Sequence, residues 1–143
     1  MSDTNDCELC STPGGTVLWS NARLRVVRVD DRDYPGFLRV IWQAHVREMS
    51  DLDATQRAGL LDAVFATERV LIDLLHPDKV NLASLGNMTP HIHWHVIPRF
   101  RSDPHFPDPV WAARRAGTAV ALPMPVADYE RAVTRALAQA MPA

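Results

Sequence analysis

The chain has 143 residues, of which 47% are hydrophobic and 22% charged, with a net charge of −2 at neutral pH. That length supports one hydrophobic core and leaves too little for two, so a single domain over residues 1–143 is expected. The charge balance argues against a non-specific binder of nucleic acid or anionic membrane, which needs a basic face, but leaves room for a small ligand in a local pocket.

The polar, acidic start Met1–Cys10 has no apolar leader segment, and no run is apolar enough to span a bilayer, so a reducing cytoplasm is the expected setting. There, the CxxC of Cys7 and Cys10 serves as a metal half-site or redox pair more often than as a structural disulfide. A turn cluster, Ser11–Gly15, follows. Thr16–Trp19, Leu24–Val29 and Phe37–Trp42 are short β-prone runs separated by turn residues, which predicts an antiparallel meander. Ser50-Asp51 then opens a long helix, with either residue able to cap it, carrying an apolar stripe of Leu60, Leu61, Val64, Phe65, Leu71, Ile72 and Leu75. Pro77 stops it. Val80–Leu85 is a fourth strand, and His91 to Pro98 a fifth. Arg101–Pro109 carries three prolines and is a loop, and Trp111–Arg115 has room for one helical turn. Pro125–Met141 is a final helix with Tyr129, Val133, Leu137 and Met141 on one face. The order β-β-β-α-β-β-α predicts an α+β fold: a mainly antiparallel five-stranded sheet with one long and one C-terminal helix.

His91, His93 and His95 alternate with Ile92, Trp94 and Val96. On a strand the imidazoles share one face and the apolar residues the other, which can pack under the helices. Three readings of the imidazole face stand: a polar surface, a zinc site built on imidazole nitrogens, and a nucleophilic histidine.

The stretch Asn87-Met88-Thr89-Pro90-His91-Ile92-His93-Trp94-His95-Val96-Ile97 resembles the histidine triad (HIT) signature, His-φ-His-φ-His-φ-φ with φ apolar. The resemblance extends to the N-terminal CxxC, the strand pair and His45 before the long helix. It implies a HIT-like fold, a homodimer, and cleavage or transfer at the α-phosphate of a nucleotide such as diadenosine tetraphosphate, a nucleoside phosphoramidate or an adenylylated small molecule. By that resemblance His93 attacks phosphorus and forms a nucleotidyl-histidine, and His95 contacts phosphate oxygens or assists the leaving group. Asn87, and more weakly Asn81, bind substrate. The resemblance also implies a structural Zn²⁺ held by Cys7, Cys10, His45 and His91, a closed set with no position open for catalysis. Neither nucleic acid nor membrane is expected as a partner. His105, Phe106 and Trp111 belong to a segment able to reach the substrate pocket or a dimer partner, whereas His76, at a helix C-terminus, has no role. One departure stands out: where many members have Pro-Gly-His, this chain has Pro35-Gly36-Phe37, and phenylalanine forms no hydrogen bond.

Hydrolysis to water is the favoured activity. The alternatives are a nucleotidyltransferase with the same chemistry, a nucleotide-binding protein of low turnover, and a metallohydrolase with catalytic zinc on all three histidines. The last leaves Cys7 and Cys10 without a purpose.

Overall fold

Alternating side chains sort the strands into two faces, and a computed structural model describing residues 4–141 shows what covers each. The strands are β1 (Thr16–Ser20), β2 (Leu24–Arg28), β3 (Leu38–Trp42), β4 (Lys79–Ala83) and β5 (His93–Arg99). They form one antiparallel sheet in the order β1-β2-β3-β5-β4. A short helix α1 (Glu8–Ser11) precedes them, the long helix α2 (Ala54–Leu75) joins β3 to β4, and α3 (Val126–Ala140) closes the fold. The α+β architecture expected from the sequence is therefore present, with α1 added.

One face of the sheet carries Leu24, Val26, Leu38, Val40, Trp42, Val80 and Val96, buried against α2 and α3. Ile92, Trp94 and Val96 belong to this core, as their alternation predicts. From α3, Tyr129, Val133 and Leu137 are fully buried, and the Tyr129 hydroxyl donates to the Gly36 carbonyl at 2.7 Å. The opposite face is covered in two patches. Cys7 and Leu9 sit on Val27 and Ile41, while Tyr34 and Phe37 sit on Ile97 with Val110. Between the patches Arg39, His93 and His95 remain open to a groove.

Several boundaries differ from the expected ones. The long helix starts at Ala54, and its cap is Asp53, not Ser50 or Asp51. Asp53 accepts from the Gln56 N–H at 2.8 Å while the Gln56 side chain accepts from the Asp53 N–H at 2.9 Å, a reciprocal capping box. Met49–Asp51 forms a separate 3-10 turn. The helix ends at Leu75, one residue before His76, which adopts the left-handed conformation (φ 48°) ahead of Pro77. Its buried side is Leu60, Ala63, Val64, Thr67, Val70 and Leu71, so Phe65 is not core: it is 53% exposed. β5 begins at His93 rather than His91, and it runs through Pro98. The proline is tolerated because the β3 pairing has ended at Val96, leaving β4 as the neighbour at that point. Residues 111–115 hold no helix; one turn closes through the Ala112 N–H and the Pro109 carbonyl at 3.0 Å. Among the described residues no helix is long and apolar enough to cross a membrane.

Candidate active site and metal centre

The groove lies over the junction of β3 and β5 and has a volume of about 550 Å³. β5 contributes His93 and His95, β3 contributes Arg39, and the loop from Leu85 to Thr89 forms one wall. Glu8 and Leu9 of the N-terminal segment form another, and Trp111 reaches in from the segment after β5. Gly86 turns the wall with φ 76°, a conformation that a side chain resists. Asn87, next in the chain, lines the groove. Asn81 shares the histidine face but lies beside Ile97, outside the groove's lining, and its Oδ1 accepts from Arg99 Nη1 at 2.7 Å.

The histidines differ in their surroundings. The His93 Nδ1 lies 2.6 Å from the His91 carbonyl, which only accepts, so Nδ1 carries the proton and Nε2 is left with a lone pair. Burial, with a smaller contribution from Arg39, holds His93 below the ordinary histidine range. His95 is pushed down to about 4 by burial, then by His93 and Arg39. Both rings are neutral near pH 7. They meet edge to face with centroids 5.0 Å apart. Phe37, at the position of the expected departure, is buried and meets His95 edge to face at 5.5 Å. A ring contact thus buttresses the imidazole where a hydrogen bond was absent from the sequence.

His91 lies before β5 and turns toward the N-terminus. Its backbone is clamped by the His91 N–H bond to the Thr89 carbonyl (2.8 Å) and by Ile92 bonding Val46 and Trp42. Its Nε2 donates to the Trp42 carbonyl at 2.5 Å. The Nδ1 lone pair therefore faces Cys7 Sγ and Cys10 Sγ, each at 3.5 Å. His45, in the loop after β3, puts Nδ1 3.4 Å from Cys10 Sγ. All four donor atoms lie within 4.8 Å of one another, and the cysteines are not bonded to each other.

Metal–sulfur bonds of about 2.3 Å and metal–nitrogen bonds of about 2.0–2.1 Å in a tetrahedron give sulfur–nitrogen edges of about 3.6 Å. The observed separations match, and the carbonyl behind His91 supplies the outer hydrogen bond that fixes a ligating imidazole. Cys7, Cys10, His45 and His91 thus form a candidate metal site brought together from four sequence positions.

Arg39 and Glu8 line the groove without having been expected there. The signal for Arg39 was present: it is the one charge in the apolar run Phe37–Trp42, and alternation sets it on the face of Phe37. The segment after β5 splits in role. Trp111 lines the groove, whereas His105 is buried and shares a 2.6 Å bond with the Tyr34 hydroxyl.

The HIT-domain family model matches residues 15–102. A histidine triad protein from Bradyrhizobium japonicum is 27% identical, with a TM-score of 0.69 over 89% of this chain and 90% of that one. One from Sinorhizobium meliloti 1021 is 25% identical, with a TM-score of 0.69 over 90% and 91% of the two chains. A Zn-bound histidine triad family protein from Mycobacterium smegmatis is 20% identical and shares the fold, with a TM-score of 0.65 over 96% of each chain. No curated protein matches the chain. Because the matched span runs from β1 through β5 and contains all three histidines of the alternating run, the chain belongs to the HIT-domain family.

Proposed function

We propose that this protein is a nucleotide hydrolase that cleaves at the α-phosphate through a nucleotidyl-histidine intermediate on His93. The observation that carries this reading is the 2.6 Å bond between His93 Nδ1 and the His91 carbonyl. It leaves Nε2 as a neutral nucleophile, and it stabilises the positive charge that Nδ1–H acquires once Nε2 bonds to phosphorus.

Nε2 attacks the α-phosphorus, and the bond from phosphorus to the leaving group breaks with its electrons on the departing oxygen or nitrogen, which takes a proton from solvent. Water then attacks phosphorus and gives up a proton to solvent, the P–N bond to His93 breaks, and the nucleoside monophosphate leaves with the imidazole restored. His95 contacts the phosphate oxygens or assists the leaving group. Asn87, on the groove wall, offers its amide to the phosphate or the leaving oxygen. The groove volume, about 550 Å³, suits a nucleotide. Dinucleoside polyphosphates, phosphoramidates and adenylylated small molecules are the substrate class.

We infer that the Cys7, Cys10, His45 and His91 site holds zinc, since two thiolates and two imidazoles suit that ion in a closed structural site. When bound, it would supply cross-linking and no Lewis-acid chemistry at phosphorus. A homodimer fits two features: β4 is an edge strand, and Phe65 and Leu85 are more than half exposed.

The test is incubation with diadenosine tetraphosphate and with adenosine 5′-phosphoramidate, following AMP by chromatography, alongside His93→Ala. AMP release that disappears in the variant is expected. Release that persists in His93→Ala refutes the nucleophile.

A further inference from the structure

Three arginines project from the histidine face of the sheet: Arg25 on β2, Arg39 on β3 and Arg99 on β5. Two of them are engaged through all three guanidinium nitrogens. Arg25 donates to the carbonyls of Leu9, Thr12 and Pro13 and to Gln43 Oε1, at 2.6–3.3 Å. Arg99 donates to both oxygens of Asp103 and to Asn81, at 2.7–3.1 Å. Arg39 is different. Among the described residues its one hydrogen bond runs from Nε to His95 Nδ1 at 3.4 Å and no carboxylate lies within ion-pair distance, Glu8 and Asp31 acting on it only from farther away. The side chain is half-buried on the groove, and its guanidinium carbon lies 5.5 Å from the centroid of the Phe37 ring.

A partly desolvated guanidinium with idle donors is costly unless an anion completes it. The groove has the space for that anion, and the free Nη1 and Nη2 groups have the forked geometry that matches phosphate oxygens. The bond to His95 carries a second consequence. Arginine only donates, so His95 Nδ1 must be the acceptor, and the proton of the neutral ring sits on Nε2. Such bonds are commonly long before a ligand is bound.

We propose that Arg39 is the positioning and anion-binding residue of the groove: its Nε–H fixes His95 as the Nε2–H tautomer, and its Nη groups hold an anionic oxygen of the bound phosphate. This rests on the nucleotide reading of the groove and assigns the phosphate's charge partner within it. It also gives His95 a defined donor, Nε2–H, for a phosphate oxygen or a leaving group.

The experiment uses the full chain labelled with ¹⁵N-histidine, with long-range proton–nitrogen correlation spectra recorded for the parent, Arg39→Met and Arg39→Lys. Inorganic phosphate and AMP are titrated into each. In the parent, His95 Nδ1 is expected to be unprotonated and Nε2 protonated. Arg39→Met should weaken AMP and phosphate binding at least tenfold and mix the His95 tautomers. Arg39→Lys, which keeps the charge but not Nε–H, should recover part of the affinity and leave the tautomers mixed. A parent His95 protonated on Nδ1, no phosphate or AMP binding by the parent, or Arg39→Met binding both within twofold of the parent with an unchanged His95 pattern overturns the proposal. Failure of the nucleophile reading looks different: Arg39 then governs binding and the tautomer as stated, while His93→Ala still releases AMP.

Discussion

Arg99→Met should destabilise the protein more than any change at the groove, for a reason visible in one buried pair. Arg99 and Asp103 have 2% and 1% of their side-chain surface exposed. Asp103 takes two bonds from Arg99, at 2.8 and 3.1 Å, three from the backbone N–H groups of Phe100, His105 and Phe106, and one from the Tyr34 hydroxyl. That set, led by the Arg99 guanidinium, holds the carboxyl well below the usual carboxylate range against the cost of burial. Removing the guanidinium leaves a buried carboxylate facing neutral donors, a class of change that costs about 3–5 kcal/mol. The four surviving donors favour the lower end, about 3 kcal/mol. At about 3–4 °C per kcal/mol for a chain of this size, Tm should fall by about 10 °C in a thermal melt followed by circular dichroism. The pH dependence follows from the depressed pKa. The pair's contribution is complete above the unfolded value, near pH 4, and is lost as pH falls below it. The parent should therefore lose stability between about pH 4 and pH 2 more steeply than Arg99→Met. A melting temperature within about 3 °C of the parent at pH 7 would show that the pair contributes no net stability and refute the reasoning.

Other outcomes are equally open to measurement. Cys10→Ser should reduce bound metal, read by atomic absorption, from about one ion per chain to well below half, and lower Tm, because one of four ligands is replaced by a poor one; full occupancy in the variant would place the metal elsewhere. A lowered histidine pKa means the unfolded chain binds protons first, so His95, at about 4 against 6.5 unfolded, makes stability fall as pH drops from about 6.5 to about 4. His95→Gln should flatten that limb of the pH–stability curve by about 2–3 kcal/mol, and an unchanged slope would show that His95 takes up its proton as readily in the native protein as in the unfolded chain. AMP should quench the emission of Trp111, which is 57% exposed on the groove, and Trp111→Phe should abolish the quench if the indole lies against the ligand.

The strands and helices were legible because their signals are local. The β-prone runs Leu24–Val29 and Phe37–Trp42, the turn residues between them and the Tyr129, Val133, Leu137 spacing each act within a few residues. The boundaries that moved were those settled by competition. Ser50 and Asp53 both offer a capping oxygen, but only Asp53 has glutamine three positions on, and Gln56 completes the reciprocal bonds that fix the helix start. Phe65 fits the helical stripe by spacing yet is exposed, while Thr67 is buried, its hydroxyl satisfied by donating to the Ala63 carbonyl at 2.7 Å.

The site divides along the same line. His93 and His95 were readable because a strand fixes their face, and Arg39 could have been read with them by the same rule. The Asp103 network could not, since it joins the local segment Arg99–His105 to Tyr34 before β3 and Asn81 on β4, which carry no common spacing with it. The departure of His91 from the strand matters most. If β5 had begun at His91, its imidazole would stand beside the other two on the groove. Because the chain instead bends there, held by Thr89, Val46 and Trp42, the His91 ring turns to the cysteines while its carbonyl stays within 2.6 Å of His93. One residue thus contributes its side chain to the candidate metal site and orients His93 with its backbone. Cys7 and Cys10 flank Glu8 and Leu9, which wall the groove, so an ion bound there would brace the groove from two sides. Loss of a bound ion should accordingly speed His93 Nδ1–H exchange, read by proton NMR, before it unfolds the sheet, and unchanged exchange would show that the site does not brace the groove.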